Sequence, residues 1–133
     1  MAKTGVGEVL GSRFPIQLAD GKRAEPDIVF LSRKTIREGT LSATLFTGHP
    51  TWIIKIISPI YREHDTKTKR DEYRELNVEE YWLVDPEYKT IEIVRFSDKV
   101  QVYSKVFLEG VLRPGIAGFE EFGIDLESLW KLS

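Results

Sequence analysis

Residues 51–58 read Thr-Trp-Ile-Ile-Lys-Ile-Ile-Ser, an apolar run broken by one charge, Lys55. A half-exposed strand alternates apolar with polar. Consecutive apolar positions bounded by turn residues mark a strand covered on both faces. Such a strand belongs inside a sheet, so the rest of the chain must supply a neighbour on each side. Ser58-Pro59 ends the run, a strongly charged segment with helical spacing follows, and a second apolar run, Tyr81 to Val84, closes a strand–helix–strand unit. Lys55 is the residue out of place. Desolvating an isolated ammonium is costly, so it either loses its proton or takes a carboxylate. By strand order the nearest candidate is Asp27, with Glu25 and Glu80 behind it.

The neighbours can be read from turn chemistry. Residues 1–7 hold two glycines and little apolar content, and read as a flexible arm before a single domain over 8–133. A strand is expected around Phe14 to Leu18, ended by Asp20-Gly21. Another is expected over Ala24 to Leu31, with Pro26 at an unpaired position or bulge. Ser32 to Glu38, Ser-Arg-Lys-Thr-Ile-Arg-Glu, suits a short helical turn. Asp65 suits a helix N-cap and Asn77 a left-handed end, with Lys69, Glu72, Tyr73 and Leu76 on one face between them. Glu80 to Val84, closed by Asp85-Pro86, is a strand flanking the central one. Thr90 to Phe96 and Val100 to Val106 alternate and form a hairpin around Ser97-Asp98-Lys99. Phe119 and Phe122 can plug the core, and Asp125 can cap a last helical turn. The fold class is α/β in the mixed α+β sense, with residues 51–58 central.

Composition narrows the chemistry. The chain has no cysteine, which removes disulfides, thiolate metal sites and cysteine nucleophiles. No apolar run approaches the ~20 residues that span a bilayer, and the N-terminus lacks a signal-peptide core, so a cytoplasmic protein without membrane association is expected. A net charge of −2 gives no bulk attraction for nucleic acid, leaving local patches to do it. One asparagine, two glutamines and one methionine lean towards a thermophilic source. His49 and His64 have no partner in the sequence pattern and read as solvated. Trp52, Trp82 and Trp130 sit in apolar periodic segments and read as core.

Pro26-Asp27 on one strand, a mid-strand site at position 55 and a lysine, Lys69, on the next helix have the arrangement of a metal-dependent nuclease; the alternative reading is that Asp27 ends a turn and Lys69 is a solvated helix residue. In such a nuclease, carboxylates hold Mg²⁺ against a phosphate and a lysine orients water. Arg62, Lys67 and Arg70 can meet phosphates, interleaved with acidic residues that make an ordinary charged helix face. Glu25-Pro26-Asp27, Ile56-Ile57-Ser58-Pro59, Asp65 with Lys69 and Tyr73, and the string Glu80-Tyr81-Trp82-Leu83-Val84-Asp85-Pro86 together resemble the Uma-type endonuclease-like family. This is a former domain of unknown function in the PD-(D/E)XK superfamily, and the resemblance runs over roughly residues 5 to 131.

That resemblance implies a restriction-endonuclease-like fold, DNA as a partner, and Mg²⁺ as cofactor if the site is active and none otherwise. Asp27 would be the metal carboxylate, the Ile56 carbonyl a further ligand, and Lys69 the catalytic lysine moved to the helix. Glu25, Asp65, Tyr73 and Glu80 would support the site. Position 55 is Lys where the family usually has Glu, and the family's N-terminal helical portion is missing before residue 8. The first departure predicts a degraded metal site with Lys55 beside Asp27. The alternative is an active enzyme in which Glu25 or Glu80 replaces the lost ligand. The second departure leaves a sheet face uncovered and predicts a homodimer.

Overall fold

The computed structural model of the chain describes residues 2–4, 7–11, 14–17, 23–57, 74, 77–97 and 100–131. Its centre is a seven-stranded mixed sheet. Its strands are β1 (Ala2–Thr4), β2 (Gly7–Gly11), β5 (Ile28–Ser32), β8 (Trp52–Ile56), β9 (Glu80–Asp85), β10 (Thr90–Ser97) and β11 (Val100–Phe107), in that spatial order. The double-sided run lies fourth of seven, between β5 and β9, as its composition requires. β5 pairs with β8 antiparallel and β8 with β9 parallel. All other pairs in this sheet are antiparallel.

The two faces of β8 feed two separate cores. Ile53 and Ile57 pack with Val29, Leu31, Tyr81 and Leu83 on one face. Trp52 packs with Phe30, Trp82, Ile91 and Ile93 on the other, and Ile54 lies against that cluster. At ~25 cal/mol per Å² of apolar surface, each such large side chain contributes roughly 1.5–3 kcal/mol. That is why this strand tolerates only one charge. Phe119 closes the second core, edge-on to Phe30 at 4.9 Å and to Trp52 at 5.5 Å.

Several expectations are corrected. The arm over residues 1–7 is in part a strand, because Ala2–Thr4 pairs antiparallel with Gly7–Gly11. An added Cβ at Gly7 would run into the Leu31 carbonyl oxygen, so glycine here reflects close backbone approach and not looseness. The strand expected over Ala24 to Leu31 is two: β4 (Arg23–Ala24) and β5, broken over Glu25–Asp27. Pro26 has no N–H to offer a ladder, so β4 leaves for a different sheet. That four-stranded sheet runs β4, β3 (Ile16–Gln17), β7 (Phe46–Thr47) and β6 (Thr40–Leu41). Of the strand expected over Phe14 to Leu18, Ile16 and Gln17 are paired and Phe14 and Pro15 are not; Leu18 lies outside the described residues.

Local signals otherwise act as read. Helix α1 (Arg33–Glu38) starts at Ser32, whose Oγ accepts from the Thr35 N–H at 3.2 Å. The buried Thr51 hydroxyl accepts from Ser32 N at 2.9 Å and lies 3.0 Å from Thr35 Oγ1, tying α1 to the start of β8. Asn77 has φ 56°. Asp85 Oδ1 accepts from the N–H groups of Glu87 and Tyr88, turning the chain after β9. Strands β12 (Val111–Leu112) and β13 (Ile124–Asp125) pair antiparallel, and Asp125 then accepts from Glu127 N at the start of α2 (Leu126–Lys131). Of the helix expected over Asp65 to Leu76, Arg74 alone is among the described residues, and it is helical.

Candidate functional site

The β5–β8 register ends at Ile28 opposite Ile54. One step further, Asp27 faces Lys55, and strand alternation turns both towards the face that carries Val29 and Ile53. Lys55 Nζ stands 3.5 Å from Asp27 Oδ2. The same oxygen accepts the Ile56 N–H at 2.7 Å. The reason is local: once Pro26 interrupts the strand, the Ile56 N–H loses a ladder partner, and the Asp27 side chain substitutes for a backbone carbonyl. The pair sits at the rim of the sheet, with the Lys55 side chain 14% and the Asp27 side chain 26% exposed. It is shielded enough for the charges to need each other, yet solvent reaches both. The group of Ile56 that meets Asp27 is its N–H.

Glu80 belongs elsewhere. It stands opposite Trp52 on β8, three residues or about 10 Å from the Lys55 level. With Trp82 it faces the opposite side of the sheet. It is 1% exposed. Its Oε1 accepts from Arg95 Nε at 2.8 Å and from Gly115 N at 2.9 Å, and its Oε2 from Trp82 Nε1 at 2.5 Å. Neither a supporting role at the Asp27 site nor a substitute ligand there is open to it. Glu25 is exposed and lies two residues before Asp27.

Residues 1–127 match the model of the Uma2 family, described as "Putative restriction endonuclease". The chain belongs to this family. A crystal structure of a "putative nuclease belonging to DUF820" from Anabaena variabilis superposes with a TM-score of 0.75 at 18% identity, covering 95% of this chain and 69% of that one. No curated protein matches. The seven-stranded mixed sheet, with few helices among the described residues, is accordingly a restriction-endonuclease-like fold, and this Uma2 chain is a nuclease-fold domain.

The described residues around Asp27 offer few of the ligands that Mg²⁺ takes. The ion takes oxygen ligands in near-octahedral geometry, with one or two carboxylates from the protein. Among the described residues one carboxylate is present here, and one of its oxygens already accepts an N–H and faces the Lys55 ammonium. Among the described residues no three His, Asp or Glu side chains converge on one point. Lys69, Arg62, Lys67, Arg70, Asp65, Tyr73 and His64 lie outside the described residues. His49 is exposed on the rim of a cleft of about 330 Å³ shared with Thr35, Asn77 and Phe96. That cleft lies beyond the opposite ends of β5 and β8 from Asp27. Trp52 and Trp82 are core, as expected, and Trp130 packs against the second core half-buried. Among the described residues no helix is long and apolar enough to cross a membrane.

Sequence reasoning missed Arg95, Gly115 and the Ile56 N–H. Arg95 carried a signal, being a charge in an alternating strand at an inward position (Ile91, Ile93, Arg95). Gly115 carried one only in retrospect: a Cβ there would meet Arg95 Nε at 3.1 Å and Glu80 Oε1 at 3.2 Å.

Proposed function

We propose that this Uma2 domain retains the DNA-directed scaffold of its family but has exchanged its divalent metal for the Lys55 ammonium. It would engage DNA without metal-dependent cleavage. The observation that supports this is the 3.5 Å approach of Lys55 Nζ to Asp27 Oδ2. A Glu at position 55 would give Asp27 a second carboxylate for an ion to bridge. A lysine neutralises Asp27 directly and removes the reason for an ion to bind. A single ammonium is a hydrogen-bond donor and a point charge, but it does not lower the pKa of a water as a bound divalent ion does. The phosphate-facing role of Arg62, Lys67 and Arg70, and the lysine role of Lys69, belong to this reading as proposals.

Plasmid nicking with Mg²⁺ and Mn²⁺ tests it, alongside titration calorimetry of the same ions. The wild type is expected to bind plasmid without nicking it and to show no submillimolar ion binding. Lys55→Glu is expected to gain ion binding. Nicking by the wild type that disappears in Asp27→Asn would overturn the proposal, and the enzyme would then be active through another carboxylate such as Glu25.

A further inference from the structure

Lys55 is a cation with more donors than partners. An ammonium carries three N–H donors, and among the described residues Asp27 is the one group it meets. That approach, 3.5 Å, is longer than a charge-assisted hydrogen bond. The same Asp27 oxygen lies 2.7 Å from the Ile56 nitrogen, so the backbone donor has the closer hold on it. The carboxylate is fixed from behind, and the ammonium is held loosely from the front.

The ammonium also stands where a ligand can reach it. Its neighbours on the same face, Ile53 and Ile57, are buried, so the aliphatic stem rises between apolar side chains and the charged head reaches the rim. Lys55 is the last residue of that face within β8, which ends at Ile56. The rim's other face shows Ile28 and Ile56, exposed and uncharged. The next carboxylate on the Lys55 face of β9 is Asp85, two residues beyond Leu83, the residue opposite Lys55. Its Oδ1 is engaged by the N–H groups of Glu87 and Tyr88.

We propose that the Lys55 ammonium exchanges Asp27 for a phosphodiester oxygen when DNA binds, and that Asp27 is an internal competitor which weakens that binding. This rests on the proposed engagement of DNA and names the group that the rim takes. The exchange replaces one monoanion by another, so the net charge around the ammonium is unchanged. Asp27 is not stranded by it, because its Oδ2 keeps the Ile56 N–H and the rim is open to water. A lysine head acts as a compact point charge with rotatable donors, which suits a single phosphate oxygen. Contacts to neighbouring phosphates then hold that oxygen in register. A carboxylate at position 55 would instead repel the same oxygen unless a cation stood between them.

Fluorescence anisotropy of a short labelled duplex, in a salt series without divalent ions, tests the exchange. Four proteins are compared: wild type, Asp27→Asn, Lys55→Gln and the double variant. The asparagine oxygen still accepts the Ile56 N–H, and thermal melts check that each variant folds. Asp27→Asn is expected to bind severalfold tighter than wild type. Lys55→Gln should cost severalfold more affinity in the Asp27→Asn background than in the wild-type background. In the former it should also make the slope of log K against log salt shallower by about 0.9, one phosphate contact. Equal costs in both backgrounds would show that the two charges act additively, and would overturn the proposal. So would an Asp27→Asn variant that binds no tighter than wild type. The side-chain ammonium signal of Lys55 in nitrogen-15 NMR, assigned by its loss in Lys55→Gln, should shift when the duplex is added to the wild type. A signal that stays still while other resonances move would overturn the exchange alone. A duplex that binds none of the four proteins would overturn the DNA reading itself, and the exchange with it.

Discussion

Two carboxylate–cation pairs stand on opposite faces of the same sheet, and they differ in how fully they are satisfied. Glu80 is sealed in, with three donors from three places: Trp82 on its own strand, Arg95 on β10 and the Gly115 backbone in the loop after β12. Asp27 has two donors among the described residues, both on one oxygen, at a rim that solvent reaches. A buried carboxylate with both oxygens engaged holds the architecture together, because a ligand could reach it only by displacing a donor. A carboxylate with unused capacity beside a cation at a rim can change partners. The contrast separates a sealed charge from an accessible one without reference to any relative.

The sharpest way to break this contrast is Glu80→Ala. It leaves the Arg95 guanidinium, the Trp82 N–H and the Gly115 N–H without their acceptor, and should cost about 3–5 kcal/mol, read as a lower urea midpoint. A loss under about 1 kcal/mol, the worth of one ordinary hydrogen bond, would mean that the buried network is not structural. Asp27→Ala strands the Ile56 N–H and a partly shielded ammonium, and should cost about 1–3 kcal/mol. If it cost as much as Glu80→Ala, the two sites would not differ in kind.

Lys55→Glu sharpens the comparison further. It should be less stable than wild type without divalent ions, because two carboxylates then face each other, and should recover in Mg²⁺, since a ligand stabilises the state that binds it. The wild-type melting temperature should scarcely move with Mg²⁺. A Mg²⁺-dependent rise in the wild type equal to that of the variant would remove the basis for the distinction.

The smallest effect belongs to a carboxylate outside both pairs. Glu120 is fully exposed, and its own N–H and that of Gly118 hold its carboxyl below the ordinary carboxylate range. Its contribution is therefore present above the unfolded value and is lost as pH falls through the lower folded one. Glu120→Gln should flatten the acid limb of the stability profile slightly and leave neutral pH unchanged. A change at neutral pH would assign Glu120 another role.

What was legible in the chain follows from the range of each interaction. The central strand was readable because both its faces are apolar, a property of consecutive residues. The Lys55–Asp27 approach was readable because a lone charge in such a strand leaves few partners, and Asp27 is the carboxylate of the adjoining strand. The side on which Glu80 lies was not readable. It depends on the register of β9 against β10, and on a loop contact 35 residues away. The break between β4 and β5 was half legible: Pro26 announced an interruption, but not that the two pieces join different sheets. β2 was obscured by Gly7 and Gly11 at its ends, since its pairing rests on close backbone approach and leaves little trace in an apolar pattern.

The parallel pair within the seven-stranded sheet, β8 on β9, also bears on how the molecule assembles. β9, β10 and β11 are joined by short turns and can zip as a local meander. Joining β8 to β9 requires closing the whole of residues 57–79, and joining β5 to β8 closes another long stretch, so both carry a larger entropic cost before any contact offsets it. Asp27 and Lys55 depend on the slow side of that order. Amide protection during pulse-labelled refolding should appear in β10 before β8, and simultaneous protection would show the sheet to condense as one unit. A nuclease-fold rim built last stays open to partners until the meander beneath it is already in place.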